Sequence, residues 1–481
     1  MTPLAVLGLI LGYFLILMLV SQLTSRGANN ADFFLGNRKS PWFVVAFGML
    51  GASLSGVSFI SVPGWVLDTD FTYMQMVFGY FLGYLTIAFV LLPLYYKMNL
   101  TSIYGYLDKR FGLSAYKTGA SFFLVSRIIG ASFRLYIVAS VLQLVVFDAW
   151  NVPFWITVIV TIVFIWLYTH RGGIKTIIWT DMMQTALMLT ALIATIIIIS
   201  KQMDLSAIGL IDAIKESEYS RMFVFDDWQS RQHFVKQFLS GMLITIVMTG
   251  LDQDMMQKNL SCRNLKDAKT NMISYGFAFI PFNLLFLGLG VLLVIFSQSK
   301  GIPLPTDGDT LYPLLAKTHL GNVVLALFIL GLIASAYSSA DSALTALTTS
   351  FTVDILQADK LPERKLKNIR KQVHVGMSVI LIIVILIFDM VKDRSVVDSI
   401  FTVASYTYGP LFGMFAFGIL TKRQLRMKFV VPIAILAPIL SYFINQLTQA
   451  LWGYAFAYEL LLMNGGLCYL GLWLVSYRKR G

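Results

Sequence analysis

Between residues 320 and 351 an apolar stretch carries Ser335, Ser338, Ser342, Thr345 and Thr349, with Ser339 and Asp341 beside them. At 3.6 residues per turn the first five share one face of a helix. A hydroxyl stripe on an apolar helix must face protein or water, because lipid gives polar groups no partner. Hydroxyls joined by backbone carbonyls are hard, neutral oxygen donors, a set that holds a hard cation without excess charge. A source of free carbonyls lies upstream. Residues 48–64 contain Gly48, Gly51, Ser53, Ser55, Gly56, Ser58, Ser61, Pro63 and Gly64, poor material for a continuous helix. Residues 240–252 repeat the signal with Ser240, Gly241, Thr249, Gly250 and Asp252. Each break alone also fits close packing through small residues, and serines can return bonds to the carbonyl one turn back. Two breaks five apolar segments apart favour discontinuous helices around a mid-membrane site.

A second chemistry is offered by Arg127 and Arg134, seven residues apart on one face of the apolar stretch 119–147. An arginine at that depth faces the bundle and pairs, and its planar fork suits a carboxylate. Two partners fit Arg134: an acid of the protein such as Asp181, which makes it structural, or the anionic group of a solute. Four histidines (His170, His233, His319, His374) are scattered, and Cys262 and Cys468 stand far apart. That leaves no metal-ligand cluster and no nucleophile with its base, so no enzymatic activity is expected.

The elements that hold these residues follow from composition. Hydrophobic residues make up 57% of the 481 and charged residues 13%, against about 25% charge in a usual soluble domain. A membrane-spanning helix needs roughly 20 apolar residues. The chain therefore reads as an all-α membrane protein with thirteen transmembrane helices, at 3–22, 42–66, 72–97, 119–147, 153–170, 176–200, 234–256, 271–297, 320–351, 373–391, 396–420, 429–446 and 457–476. The first run lacks a basic leader and a small-residue cleavage site and reads as a retained span. Lys and Arg concentrate in alternate loops, around Arg38, Arg110, Arg171, Lys258, Lys365, Arg423 and Arg478 to Arg480. The opposite loops hold fewer, among them Lys215, Arg221, Lys392 and Arg394. The N-terminus is thus expected outside and the C-terminus in the cytoplasm, in the plasma (inner) membrane. The net charge of +12 is then a topology signal, and no nucleic-acid partner is expected.

The expected organisation is one membrane transport domain, 1–481. Residues 3–22 form an extra N-terminal helix, 42–200 a first repeat, 234–420 a second, and 429–476 two extra C-terminal helices. An odd number of spans per repeat makes the two inverted.

The stretch from about residue 30 to 425 resembles the sodium:solute symporter family. The resemblance rests on ordered motifs: Phe34-Leu-Gly36-Asn-Arg38, Gly51-Ala-Ser-Leu54-Ser-Gly56 with Val62-Pro-Gly64, Leu92-Pro93 with Leu100 to Gly112, Gly172 to Asp181, Gly250-Leu-Asp-Gln253 with Gln257, and Ser338-Ser-Ala-Asp-Ser342. It implies the inverted five-plus-five repeat of the leucine-transporter type and sodium-driven import of a small polar solute by alternating access. It implies a main sodium site built from the carbonyls of Gly51, Leu54 and Ser335 and the hydroxyls of Ser338 and Ser339. The family usually has Ala at the place of Ser335, a change that a carbonyl ligand tolerates. Some members hold a second sodium, which here would fall to Asp181 and Ser342, with Asp341 adjacent; a basic residue such as Lys175 is the rival partner for Asp181.

The resemblance also turns Ser53, Ser55, Ser58 and Ser61 toward the solute, with Gln75, Tyr80, Thr245, Met248 and Ser405 as neighbours. Sugar-carrying members have charged and amide groups where this chain has Ser58, Val77 and Phe279, which speaks against the alternative of a sodium–sugar symporter. An alternative of another class, a non-transporting membrane sensor, would feed a soluble output domain, and none follows Arg480. The expected partners are sodium as coupling ion, a small-molecule solute and the lipid bilayer, with no organic cofactor, and the protein is expected to act as a monomer.

Overall fold

The structure, a computed structural model, describes residues 2–170, 172–390 and 396–478. Of the charges used for orientation, Arg171, Lys392, Arg394, Lys479 and Arg480 lie outside the described residues. The chain is 82% helical. Its main helices are α1 (Pro3–Thr24), α2 (Trp42–Ser53), α3 (Gly56–Thr69), α4 (Tyr73–Lys97), α5 (Leu113–Leu142), α6 (Phe154–Thr169), α7 (Ile174–Gln202) and α8 (Phe234–Thr245). They continue with α9 (Gln253–Leu260), α10 (Leu265–Ser299), α11 (Gly321–Ser350), α12 (Glu363–Met390), α13 (Val396–Thr407), α14 (Gly409–Leu420), α15 (Val430–Trp452) and α16 (Leu460–Val475). Among the described residues, eight helices are long and apolar enough to cross a bilayer, and three further helix pairs pass that test as bent spans.

The bends are 53° between α2 and α3, 65° between α8 and α9, and 47° between α13 and α14. The first two fall where glycine and serine crowd the sequence. The third was expected to be straight, within 396–420. Its cause is Pro410, which has no amide hydrogen for the Tyr406 carbonyl one turn back; that carbonyl accepts from the Asn464 side chain at 2.7 Å instead, and the helix restarts at Gly409.

A second correction concerns the segment predicted as 234–256. The chain turns at Leu251 and Asp252 and then runs helically to Leu260. Asp252 makes the restart, its carboxylate accepting from the amides of Asp254 and Met255 at 2.9 and 3.3 Å, as an N-cap does. Lys258, assigned by hydropathy to a loop, therefore sits inside a helix with its side chain 1% exposed.

The bundle is tightest where small residues meet backbone. A Cβ at Gly79 of α4 would strike the Phe238 carbonyl of α8, and one at Gly241 of α8 would strike the Met76 carbonyl of α4. Close backbone approach of this kind is how apolar helices associate where no hydrophobic effect drives them together. Helix α7 lies along both α11 and α2, and Gly51 leaves room there for the Thr185 side chain.

Candidate ion and solute site

At the first break Leu54 leaves the helical region, with φ −78° and ψ 58°, and Ser55 is extended. The final carbonyls of α2 have no helical amide to accept from. From α11, the Ser339 hydroxyl donates to the Ala52 carbonyl at 3.0 Å and to the Ser335 carbonyl at 3.3 Å. The Ser335 hydroxyl turns back to the Leu332 carbonyl at 2.9 Å, which leaves its own carbonyl as the group facing Ser339. The structure thus brings the Gly51–Leu54 stretch, Ser335 and Ser339 together as neutral oxygen donors.

Ser338 lies one residue earlier on α11, about 100° round the helix, and faces elsewhere. Its hydroxyl donates to Asp181 of α7 at 2.6 Å. Asp181 also accepts from the Lys258 ammonium at 2.7 Å and from Ser342 at 3.4 Å. Asp341 accepts from Ser342 at 3.2 Å and from the Tyr168 hydroxyl of α6 at 2.8 Å. Asp181, Asp341 and Ser342 are together, then, around a lysine that sequence reasoning missed. The signal available was the capping residue Asp252, which marks a helix start just before Met255 and Met256. Lys175, the rival partner named from sequence, instead faces Asp32 at 3.7 Å.

Beside the first break lies a cavity of about 110 Å³. Its walls are Ser53, Ser55 and Ser58 from the break, Tyr73, Tyr80 and Tyr84 from α4, Thr245 and Met248 from α8 and the turn after it, Tyr275 and Phe279 from α10, and Arg127 and Arg134 from α5. Tyrosine rings make the walls apolar while their hydroxyls form chains: Ser53 to Tyr275 at 2.6 Å, Tyr275 to Tyr84 at 2.9 Å, and Tyr73 to Tyr80 at 3.2 Å.

Gln75 is not at this cavity. Its amide nitrogen donates to the carbonyls of Thr72 and Gln232 at 3.2 and 2.8 Å, and its oxygen accepts from the Val224 amide at 3.1 Å. The side chain's capacity is spent on fastening the segment 201–232 to the start of α4.

The two arginines of α5 differ. Arg127 is ion-paired with Asp254 and lies 3.9 Å from Asp252, which also accepts the Tyr408 hydroxyl. Arg134 has no acid within ion-pair distance among the described residues, and Asp181 is taken by Lys258. The cavity therefore holds two guanidiniums, of which one is compensated.

An arginine-bearing cavity beside the bends of an apolar helix bundle is the arrangement expected of a membrane carrier. The chain belongs to the sodium:solute symporter family, whose profile matches residues 33–427, and the family is one of transporters. The chain is 24% identical over 433 residues to a sodium/sialic acid symporter of Proteus mirabilis, a match covering 86% of this chain and 84% of that one. It is 25% identical over 429 residues to the sodium/iodide cotransporter of Homo sapiens, covering 85% of this chain and 65% of that one. Its fold is similar to that of a Na+-coupled sialic acid symporter solved in a substrate-bound outward-open state, with a TM-score of 0.82 at 18% identity, over 98% of this chain and 99% of that one.

Proposed function

We propose that this protein imports a small, carboxylate-bearing solute together with sodium, and that Arg134 anchors the anionic group. The observation that carries the reading is the contrast on α5: Arg127 has its acids, whereas Arg134 lines the cavity with none among the described residues. A guanidinium in a low-dielectric cavity attracts an anion strongly, and its fork holds a carboxylate by two bonds. The serine hydroxyls and tyrosines opposite it suit the rest of a polar solute. Two of the similar carriers are named for anions, sialic acid and iodide, which supports the same reading. Nothing at Ser58 or Phe279 supplies the charged or amide groups a sugar site would use.

The coupling ion fits the oxygens around the first break. Ser339 holds the Ala52 carbonyl through its hydroxyl, and a hard cation can take over both oxygens at once. The Ser335 carbonyl joins this set, with Gly51 and Leu54 on the break itself, whereas the Ser338 hydroxyl expected there is spent on Asp181. The eight long helices, three bent pairs and two shorter apolar helices, Phe154–Thr169 and Leu460–Val475, support thirteen spans. The bends at α2–α3 and α8–α9 support two inverted repeats, 42–200 and 234–420. On this reading the N-terminus is outside and the transporting unit is a single chain.

Uptake into reconstituted vesicles tests the function. Organic acids should enter only with a sodium gradient, and neutral sugars should not compete. Equal uptake with potassium in place of sodium rules the reading out. Labelling of cysteines placed at residue 2 and in the loops 201–232 and 353–371 tests the orientation; reaction of the 353–371 loop from outside intact cells reverses it.

A further inference from the structure

We infer that Lys258 is itself the second cation of this carrier, so that one sodium, not two, binds per chain. The inference rests on the sodium-symport reading above and adds its stoichiometry. Lys258 stands on α9, past the bend of the second broken helix. Its ammonium is 2.7 Å from Asp181 Oδ2, with side-chain exposures of 1% and 0%. The other oxygen of Asp181 accepts from Ser338 at 2.6 Å, and the Ser342 hydroxyl lies 3.4 Å from Oδ2. These are the oxygens that a sodium ion bound to Asp181 and Ser342 would use.

Charge and access decide between the two cations. A desolvated carboxylate must have a counter-charge, and the ammonium provides it with a direct bond. Lys258 is tethered within reach of its partner, so its effective concentration at Asp181 is set by the fold and not by the medium. A free sodium ion would have to displace it and leave an ammonium buried without a partner. Asp341 does not open a separate place, because the Ser342 hydroxyl it accepts from at 3.2 Å also reaches Asp181 at 3.4 Å, so both carboxylates belong to the one cluster that the ammonium serves. The tethered cation also never leaves: it stays with α9 through a transport cycle, while a bound sodium is released.

Counting radioactive sodium bound at saturation to the purified full-length protein, with sodium as the only added ligand, tests this directly. The native chain should bind one ion with a Hill coefficient of one. Lys258→Met should bind two, cooperatively. The pair-neutralised chain carrying Lys258→Met and Asp181→Asn should bind one, since both the tethered cation and its carboxylate charge are gone. Two ions on the native chain overturn the inference while leaving sodium symport standing, and no bound sodium overturns the symport reading beneath it. A folded Lys258→Met chain that still binds one ion also overturns the inference. Should Lys258→Met fail to fold, the native and double-variant counts decide, and two ions on either one refute it.

Discussion

The first broken helix has no charged side chain from Trp42 to Leu67, and its break presents serines and carbonyls. The second places Asp252, Asp254 and Lys258 immediately after its break, and each is fastened to another helix: Asp252 to Tyr408, Asp254 to Arg127 and Lys258 to Asp181. The difference sorts the two by task. Neutral hydroxyl–carbonyl contacts contribute about 1 kcal/mol net each, so the first break can exchange its internal bonds for a cargo ion and return them. Buried ion pairs do not exchange so cheaply, because separating one leaves a charge in a dry interior. The second break is wired to the scaffold, and on the proposed reading the first is left open for cargo.

The sharpest way to break this contrast is Arg127→Met. It strands Asp254 and Asp252, and about 3–5 kcal/mol of stability should be lost, read as a fall in melting temperature in detergent with no added solute. A variant as stable as the native chain would show that the second break is not locked. Next comes Arg134→Lys on the same helix. Solute binding should weaken by about 2–5 kcal/mol, because a point charge does not replace the two-pronged contact. Stability and sodium response should persist. Loss of both together would make Arg134 a structural residue and return it to the company of Arg127.

Gln75→Leu is expected to cost about 1–3 kcal/mol of stability, since it leaves the Val224 amide and the Gln232 carbonyl without their partner. Solute affinity should not change, and isothermal titration of the purified variant checks that. The smallest effect belongs to the neutral break. Ser339→Ala should lower sodium affinity by about 1 kcal/mol, with solute affinity falling in step through linkage. A sodium titration of thermal stability measures the first, and a solute titration at fixed sodium the second.

Spans and the hydroxyl stripe were legible because each depends on local pattern. Apolar runs mark helices through their own length, and Ser335, Ser338 and Ser342 reveal a face through their spacing. Partners were not legible. Lys258 and Asp181 are 77 residues apart in sequence, and hydropathy placed the lysine in a loop because the segment after Asp252 is short and polar. The same blindness made Gln75 look like a solute ligand: a buried amide in an apolar stretch looks the same whether it faces a cavity or a neighbouring loop. The bend at Tyr408 was readable from Gly409-Pro410 but was overshadowed by the apolar run on both sides. Adjacent serines also concealed a division of labour, Ser339 facing the first break and Ser338 facing Asp181, which helical geometry alone required.

The reciprocal glycine contacts between α4 and α8 have a mechanical consequence. With Gly79 against the Phe238 carbonyl and Gly241 against the Met76 carbonyl, no side-chain cushion separates the two rods, and neither slides along the other without first lifting off. They behave as one plank. A swing of α8 must take α4 with it, along with the tyrosines that wall the cavity, and the flex has to be absorbed at Leu251 and Asp252, where the backbone leaves the helix. Helix α9 lies beyond that pivot, pinned by Lys258, and serves as the anchored end of the lever.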